Sequence, residues 1–169
     1  MSMTDSKTLG ELRASGYKVL TVREEMRHNL MARLAADDDV FPRIVGYDET
    51  VVPQLENAIL SGQDIILLGE RGQAKSRIIR SLTSLLDEVT PILDGVSVPE
   101  NPFAPISSEG IRLVAEQGDD TPIRWMRRDE RYGEKLATPD ITIADLIGEI
   151  DPIKIAEGRY LSDQEAVHF

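Results

Sequence analysis

The sequence has no cysteine and only two histidines, His28 and His168. Disulfides, thiolate chemistry and zinc-thiolate sites are therefore excluded, and the side chains alone do not build a metal cage. Aromatic residues are also scarce, at 5% of the chain, and Trp125 is the only tryptophan. A lone tryptophan is more often a core residue than a stacking platform for nucleic-acid bases, and a lone helical histidine is more often exposed than a ligand.

Long apolar runs are missing too. No stretch approaches the roughly 18 apolar residues that a membrane-spanning helix needs. The first residues, MSMTDSKTLGEL, include Asp5 and Glu11 and hold no apolar segment of signal-peptide length. We therefore expect a soluble, cytoplasmic protein with no membrane partner. Its 169 residues suffice for one domain with its own core.

Positive charge is in the minority. Nineteen Lys and Arg face 30 Asp and Glu, which gives a net charge of −11. Because binding to nucleic acid rests on Lys and Arg neutralising phosphates, this balance argues against nucleic acid as the main partner. One basic cluster spans residues 124–131, but Asp129, Glu130 and Glu134 interleave with it, so we interpret it as a mixed surface.

Residues 1–62 predict an arm and two helices. Residues 1–20 are polar and interrupted by glycine, which is typical of a flexible N-terminal arm. A helix over about residues 22–36 follows, because Thr21 and Glu24 form a capping box ahead of an apolar stripe. The segment VVPQLENAILSG predicts a second helix that ends at Gly62.

The middle of the chain predicts a strand, a glycine loop and a helix in that order. The continuous apolar run Ile65–Leu68 is of the kind that forms a strand buried on both faces of a parallel sheet. Apolar residues then recur at helical spacing from Ile78, which predicts a helix that ends near Glu88.

Proline and glycine dominate the stretch from Thr90 to Thr121. They predict long loops with at most one short helix, around Ile111–Glu116. The sequence TPIRWMRR after them predicts a second strand around Trp125. The remaining residues, from Leu136 onward, mix a short strand, a polar turn and a hairpin or helix.

The motif that carries chemistry is GERGQAKS at residues 69–76. It matches the phosphate-binding pattern G-x-x-x-x-G-K-[ST] at every fixed position but one, where Ala74 replaces glycine. The two glycines let backbone amides close around phosphate oxygens, and Lys75 would neutralise the β- and γ-phosphates. Ser76 supplies a hydroxyl for Mg²⁺. We expect Ala74 in the first helical turn, where φ is negative and a methyl group is allowed.

Short motifs also recur by chance, and the competing interpretation is a glycine-containing turn that binds nothing. The predicted strand before the motif and the predicted helix after it favour phosphate binding. No role for Arg71 or Gln73 follows from the sequence. The predicted phosphate-binding residues are Gly69, Glu70, Arg71, Gly72, Gln73, Ala74, Lys75 and Ser76.

Hydrolysis requires a further acidic residue, at the end of a second buried strand, to hold the metal. The nearest candidates are Pro91–Gly95, which has proline inside it, and Ile141–Glu149, whose apolar run is broken by Thr142. Neither has the required form, and the Asn-Lys-x-Asp motif of a GTPase is absent. The predicted site therefore binds nucleotide but is incomplete for turnover.

With IVGYDE about two dozen residues upstream, GERGQAKS resembles the AAA+ ATPases of the magnesium chelatase ATPase-subunit, MoxR and MCM helicase clade. Alanine before the loop lysine is common in that clade. ENPF at residues 100–103 and ERYGEKLATPDITIADLIGEIDPIKI at residues 130–155 are similar to the magnesium chelatase branch. The resemblance implies a three-layer α/β P-loop NTPase core with a parallel sheet, and an adenine pocket that includes Ile44, Val45, Gly46 and Tyr47.

The resemblance also implies ATP and Mg²⁺ as cofactors, Lys75 as the catalytic residue and Ser76 as the magnesium ligand. It implies a homo-oligomeric, hexameric ring and a partner protein with a metal-dependent adhesion-type domain. In the family the metal-binding acidic motif and the helical lid lie downstream of the position of Phe169. We therefore expect residues 21–169 to be the front part of the ATPase domain, with the edges of Ile65–Leu68 covered by another copy or another chain.

The leading functional expectation is an ATP-binding part of an ATPase that remodels a partner protein. The alternative is a module that binds nucleotide, or a partner, without hydrolysis. A DNA motor like the MCM helicases is disfavoured by the acidic charge and by the lack of a basic stripe.

Overall fold

The computed structural model describes residues 5–136, 138–143, 149–150 and 167–168, and the fold is mixed α/β. The helices are α1 Leu9–Ala14, α2 Val22–Ala35, α3 Val51–Ser61, α4 Lys75–Ser81 and α5 Ser108–Gln117. The strands are β1 Val89–Leu93, β2 Ile123–Arg127, β3 Glu149–Ile150 and β4 Val167–His168. Short 3₁₀ turns occupy Leu82–Leu85, Gly118–Asp120 and Arg128–Arg131. Within the described ranges, every helix is too short or too polar to cross a membrane.

Helices α2 and α3 form where the sequence predicts them. The capping box at the start of α2 is present: the Thr21 hydroxyl accepts from the Glu24 N–H at 3.3 Å, and the Glu24 carboxylate accepts from the Thr21 N–H at 2.9 Å. Helix α3 ends at Gly62, whose φ of +66° is the left-handed conformation that glycine adopts without strain. His28 is exposed on α2, as expected.

One hydrophobic cluster joins α2, α3, α4 and the segment between α2 and α3. Burial of this apolar surface is the main stabilising term for a fold of this size. Residues on both sides of the loop at 69–74 therefore belong to this packing: Leu67 before it and Ile78 after it. The buried members of the cluster are Leu30, Val40, Phe41, Ile44, Leu55, Ile59, Ile78 and Leu85.

The predicted buried strand at Ile65–Leu68 is not a paired strand in the structure. Its side chains alternate: Ile65 and Leu67 pack on the hydrophobic cluster, whereas Ile66 and Leu68 are 83% and 89% exposed. The backbone of residues 64–68 makes no hydrogen bond to another described main-chain group. The prediction of burial on both faces was wrong for these residues, because no described strand lies beside them.

Helix α4 is shorter than predicted, and β1 was missed. The helix gives way to a 3₁₀ turn after Ser81, whose hydroxyl donates to the Ile78 carbonyl in the manner that weakens helical hydrogen bonding. Strand β1 tolerates Pro91, because the backbone bonds at the two ends of the ladder lie at even-numbered residues of this strand: the Arg128 N–H donates to the Glu88 carbonyl, and the Asp94 N–H donates to the Pro122 carbonyl. Alternation along the strand turns the proline nitrogen away from β2.

The sheet is antiparallel rather than parallel. Strand β1 pairs only with β2 among the described strands, with Pro91 opposite Trp125. The predicted strand at TPIRWMRR is thus confirmed, whereas the parallel sheet of a three-layer core is not seen in the described residues. Helix α5 is longer than the short helix expected within Thr90–Thr121. Ser107 caps it by accepting from the Gly110 N–H.

Part of the expected flexible arm, residues 6–12, packs against the rest of the fold. Helix α1 buries Leu9 and Leu12 completely, and the Leu9 N–H donates to the Thr121 carbonyl at 2.9 Å. The Trp125 indole is half-buried and donates to the Ser6 carbonyl at 2.9 Å. The apolar contacts of α1 were missed because only two of its side chains face the core.

The tail is described only in part. Strands β3 and β4 form a short antiparallel pair, with Glu149 opposite His168. The predictions for the rest of residues 144–169, including most of the acidic candidate at Ile141–Glu149 and part of the segment similar to the chelatase branch, lie outside the described residues.

Candidate functional site

The predicted phosphate-binding loop is an exposed turn between the extended segment at residues 64–68 and α4. Gly69 and Gly72 have φ values of +154° and +86°, which L-residues rarely adopt. Both glycines of the motif are therefore needed for the path of the backbone. The turn delivers the chain to Lys75, the first residue of α4.

The Lys75 ammonium lies across the mouth of this turn. It donates to the Gly69 carbonyl at 2.7 Å and to the Glu70 carbonyl at 2.5 Å. Neutral carbonyls do not cancel a full positive charge, so the ammonium keeps an unmatched charge beside the loop.

The Gln73 side chain folds back into the same turn. Its Oε1 accepts from the Glu70 N–H at 3.0 Å. A Cβ built on Gly69 would lie 2.1 Å from that oxygen, so no other residue type fits at position 69 while Gln73 stays there. The Tyr47 hydroxyl donates to the Gln73 carbonyl oxygen at 3.4 Å. The sequence carried no signal for the role of Gln73.

Ala74 departs from the expected conformation. It lies before the helix rather than in its first turn, with φ +55° and ψ +13°. The chain changes direction between the loop and α4. The left-handed conformation of Ala74 makes the last part of this change, just before the helix begins. The left-handed conformation costs an L-residue on the order of 1 kcal/mol in conformational energy, so alanine fits at this position only with backbone strain.

The charges around the loop are mostly positive. Residues 69–80 contain four basic residues and one acidic residue. Arg71, Lys75 and Arg77 form no salt bridge with a described carboxylate, and Ser76 is exposed with no hydrogen bond from its hydroxyl to a described group. The loop is therefore a local cationic surface on an acidic chain.

The four residues of the predicted adenine pocket lie in different environments. Ile44 is buried in the hydrophobic cluster, whereas Val45 is 84% exposed. Gly46 turns the chain with a φ of +82°, and Tyr47 contacts the loop through Gln73. Of this set, Tyr47 is the member that forms a hydrogen bond to the predicted phosphate-binding loop in the described structure.

An apolar cavity of about 390 Å³ lies between α2, α3 and α4. Its lining includes Met26, Ile59 and Leu82, and it also includes Leu67, which precedes the loop by two residues. Arg23 and Asp64 line it too and form an ion pair at 2.8 Å. None of Ile44–Tyr47 lines this cavity. The sequence did not predict it, because its walls come from distant helices.

The segment after β2 anchors α4. The Arg80 guanidinium donates twice to the Glu134 carboxylate, at 2.8 Å for each bond, and the Tyr132 hydroxyl donates to it at 3.0 Å. These donors, Arg80 first, lower the pKa of Glu134 from 4.5 to about 2. The Arg80 pair is exposed, so salt screens it.

Every arginine of the basic cluster has an acidic partner. The interpretation as a mixed surface is therefore confirmed for these side chains. The pairs are Arg124 with Glu130, Arg127 with Asp129, Arg128 with Glu88, and Arg131 with Glu25.

Comparison with known proteins gave no match: no protein-family model, no curated protein sequence and no solved structure is similar to this chain.

Proposed function

We propose that residues 69–76 bind the terminal phosphates of ATP together with Mg²⁺. The observation that carries this proposal is the Lys75 ammonium, held over the turn by the Gly69 and Glu70 carbonyls. A cation inside a backbone turn with glycines at two positive-φ positions suits a phosphate group. The surplus of positive charge in residues 69–80 supports the same class of ligand, because it occurs in a chain of net charge −11.

Each residue has a distinct part in this proposal. The Lys75 ammonium exchanges two neutral carbonyls for phosphate oxygens, which are stronger acceptors because they carry negative charge. The Ser76 hydroxyl faces solvent and coordinates the Mg²⁺ that arrives with the nucleotide. Arg71 and Arg77 add charge without a fixed contact.

We infer that this chain is the ATP-binding part of a magnesium-chelatase-like AAA+ ATPase that remodels a partner protein. The finer fold, a three-layer core with a parallel sheet, belongs to this proposal, as do a cytoplasmic location, a hexameric ring and a partner with a metal-dependent adhesion-type domain. The unpaired backbone of residues 64–68 and the exposed Ile66 and Leu68 support coverage of this edge by another polypeptide segment.

The decisive experiment is calorimetric titration of the chain with Mg-ATP. We expect Lys75→Ala to weaken binding about tenfold to hundredfold, which corresponds to the loss of a charged hydrogen bond. Lys18→Ala is the control, because Lys18 is exposed and, like Lys75, forms no salt bridge with a described residue. Equal affinity of wild type and Lys75→Ala would remove the basis of the proposal.

The second candidate is a nucleotide-binding or protein-interaction module without turnover. It is favoured by the sequence, which contains no four-residue apolar run closed by Asp-Glu. Measurement of phosphate release on the same sample tests the two: release would support the ATPase and overturn the module. Binding without release fits both, because the predicted site lacks the acidic residue that turnover needs.

A further inference from the structure

We infer that Gln73 sets the affinity of the phosphate loop by competing with the phosphate for a loop amide. The inference rests on the proposed function, since it assumes that the loop binds phosphate. It assigns a role to a residue that the motif leaves variable.

The competition follows from where the Gln73 side chain lies. Its Oε1 accepts from the Glu70 N–H at 3.0 Å, and it sits so close to Gly69 that an added Cβ would overlap it. The carboxamide therefore fills the space inside the turn where a phosphate oxygen would enter. Tyr47 lies against the Gln73 carbonyl oxygen at 3.4 Å and helps to hold this part of the backbone in place.

A backbone amide has a single hydrogen to donate. The Glu70 N–H can therefore bond the Gln73 oxygen or a phosphate oxygen at full strength, but not both. Binding of phosphate has to release the Gln73 contact first. Because a hydrogen bond of this type has a modest net value in water, its release reduces the affinity about two- to tenfold.

Gln73 could instead assist phosphate binding, through different atoms of its side chain. A carboxamide has two N–H donors, and after rotation it would donate to the phosphate instead of competing with it. In that case removal of the side chain weakens binding. The sign of the effect of Gln73→Ala therefore decides between competition and assistance.

The test uses three variants, titrated with Mg-ATP by calorimetry. We expect Gln73→Ala to bind about two- to tenfold more tightly than wild type. Gln73→Glu keeps an acceptor for the Glu70 N–H and adds a negative charge, so it should bind more weakly than wild type. Gln54→Ala is the control and should bind as wild type does, because Gln54 is exposed on α3 and makes no side-chain hydrogen bond in the described structure.

A second readout does not depend on nucleotide. Hydrogen exchange of the Glu70 amide, followed by NMR without ATP, should be faster in Gln73→Ala than in wild type and Gln54→Ala. Unchanged exchange would overturn the inference, because the contact would then be absent in solution.

The outcomes for the two proposals can be told apart. If wild type binds Mg-ATP and Gln73→Ala binds equally or more weakly, competition is overturned while the proposed function stands. If neither wild type nor Gln73→Ala binds Mg-ATP, both proposals fall. Tighter binding by Gln73→Ala together with faster exchange supports both.

Discussion

The turn from Gly69 to Lys75 depends on side-chain type at three positions in three different ways. Gly69 has no room for a Cβ beside the Gln73 carboxamide. Ala74 carries a methyl group in a left-handed conformation. The Lys75 ammonium donates hydrogen bonds to two carbonyls of its own loop. Substitutions here should therefore act mainly through backbone conformation and competing hydrogen bonds, and less through lost packing.

Ala74→Gly tests the strain at position 74. Glycine removes the steric strain of a Cβ in the left-handed conformation. Its greater conformational freedom in the unfolded chain offsets part of this stabilisation. We therefore expect the free energy of unfolding to rise by about 0.5–1 kcal/mol. Urea denaturation measures it. Ala58→Gly, in the interior of α3, is the control and should lower stability by about 1 kcal/mol. A fall in stability for Ala74→Gly, as in the control, would show that Ala74 is not strained.

Among the elements, α4 depends on a contact outside its own helix. It is short, and it changes to a 3₁₀ turn at Leu82. Arg80 near its end is bound by Glu134, which follows β2. The anchor fixes one end of the helix whose other end carries Lys75, so the pair helps to position the loop.

The anchor predicts a pH dependence. Because Arg80 lowers the pKa of Glu134 to about 2, the pair adds stability above the ordinary carboxyl pKa of 4.5, and this stability is lost as the pH falls from 4.5 towards 2. NMR titration of the Glu134 carboxyl should give a midpoint near 2. Arg80→Gln should return the midpoint towards 4.5. Arg77→Gln should leave it unchanged, and a wild-type midpoint near 4.5 would contradict the contact.

At the scale of the whole molecule, one buried ion pair joins the helical cluster to the sheet. Glu25 on α2 is 4% exposed, and Arg131 donates to both of its oxygens, at 2.7 and 2.5 Å. The Asp87 N–H donates to the same carboxylate at 2.6 Å. These bonds tie α2 to the residues just before β1 and just after β2, which lie at the same end of the antiparallel pair.

Removal of Glu25 leaves the Arg131 guanidinium, whose side chain is only 11% exposed, without its carboxylate partner. We expect Glu25→Ala to lower the free energy of unfolding by about 3–5 kcal/mol in urea denaturation. The double variant Glu25→Ala with Arg131→Ala should lose less than the sum of the two single changes, because no buried charge is left unpaired.

Glu116→Ala is the control for this pair. Glu116 is exposed on α5, and its replacement should change stability by less than about 0.5 kcal/mol. A loss below about 1 kcal/mol for Glu25→Ala would mean that water already reaches the pair.

Local features were readable from the chain because their interactions span a few residues. The Thr21–Glu24 box, the left-handed Gly62 and the apolar spacing of α2 and α3 each lie within one or two helical turns. The order of the glycines and Lys75 in the motif is local in the same sense. The mixed charge of residues 124–131 was also predictable, since the partners of two of its arginines are two or six residues away.

Other features depend on contacts between distant residues, so local patterns did not reveal them. Glu25 and Arg131 are 106 residues apart, and β1 finds its only described partner across a helix and two loops. The Ile65–Leu68 run is apolar enough for a buried strand, but a strand needs neighbours, and the described chain places none beside it. Likewise, Gln73 and Ala74 took their conformations from the closure of the loop, which depends on how the packed helices hold its two ends.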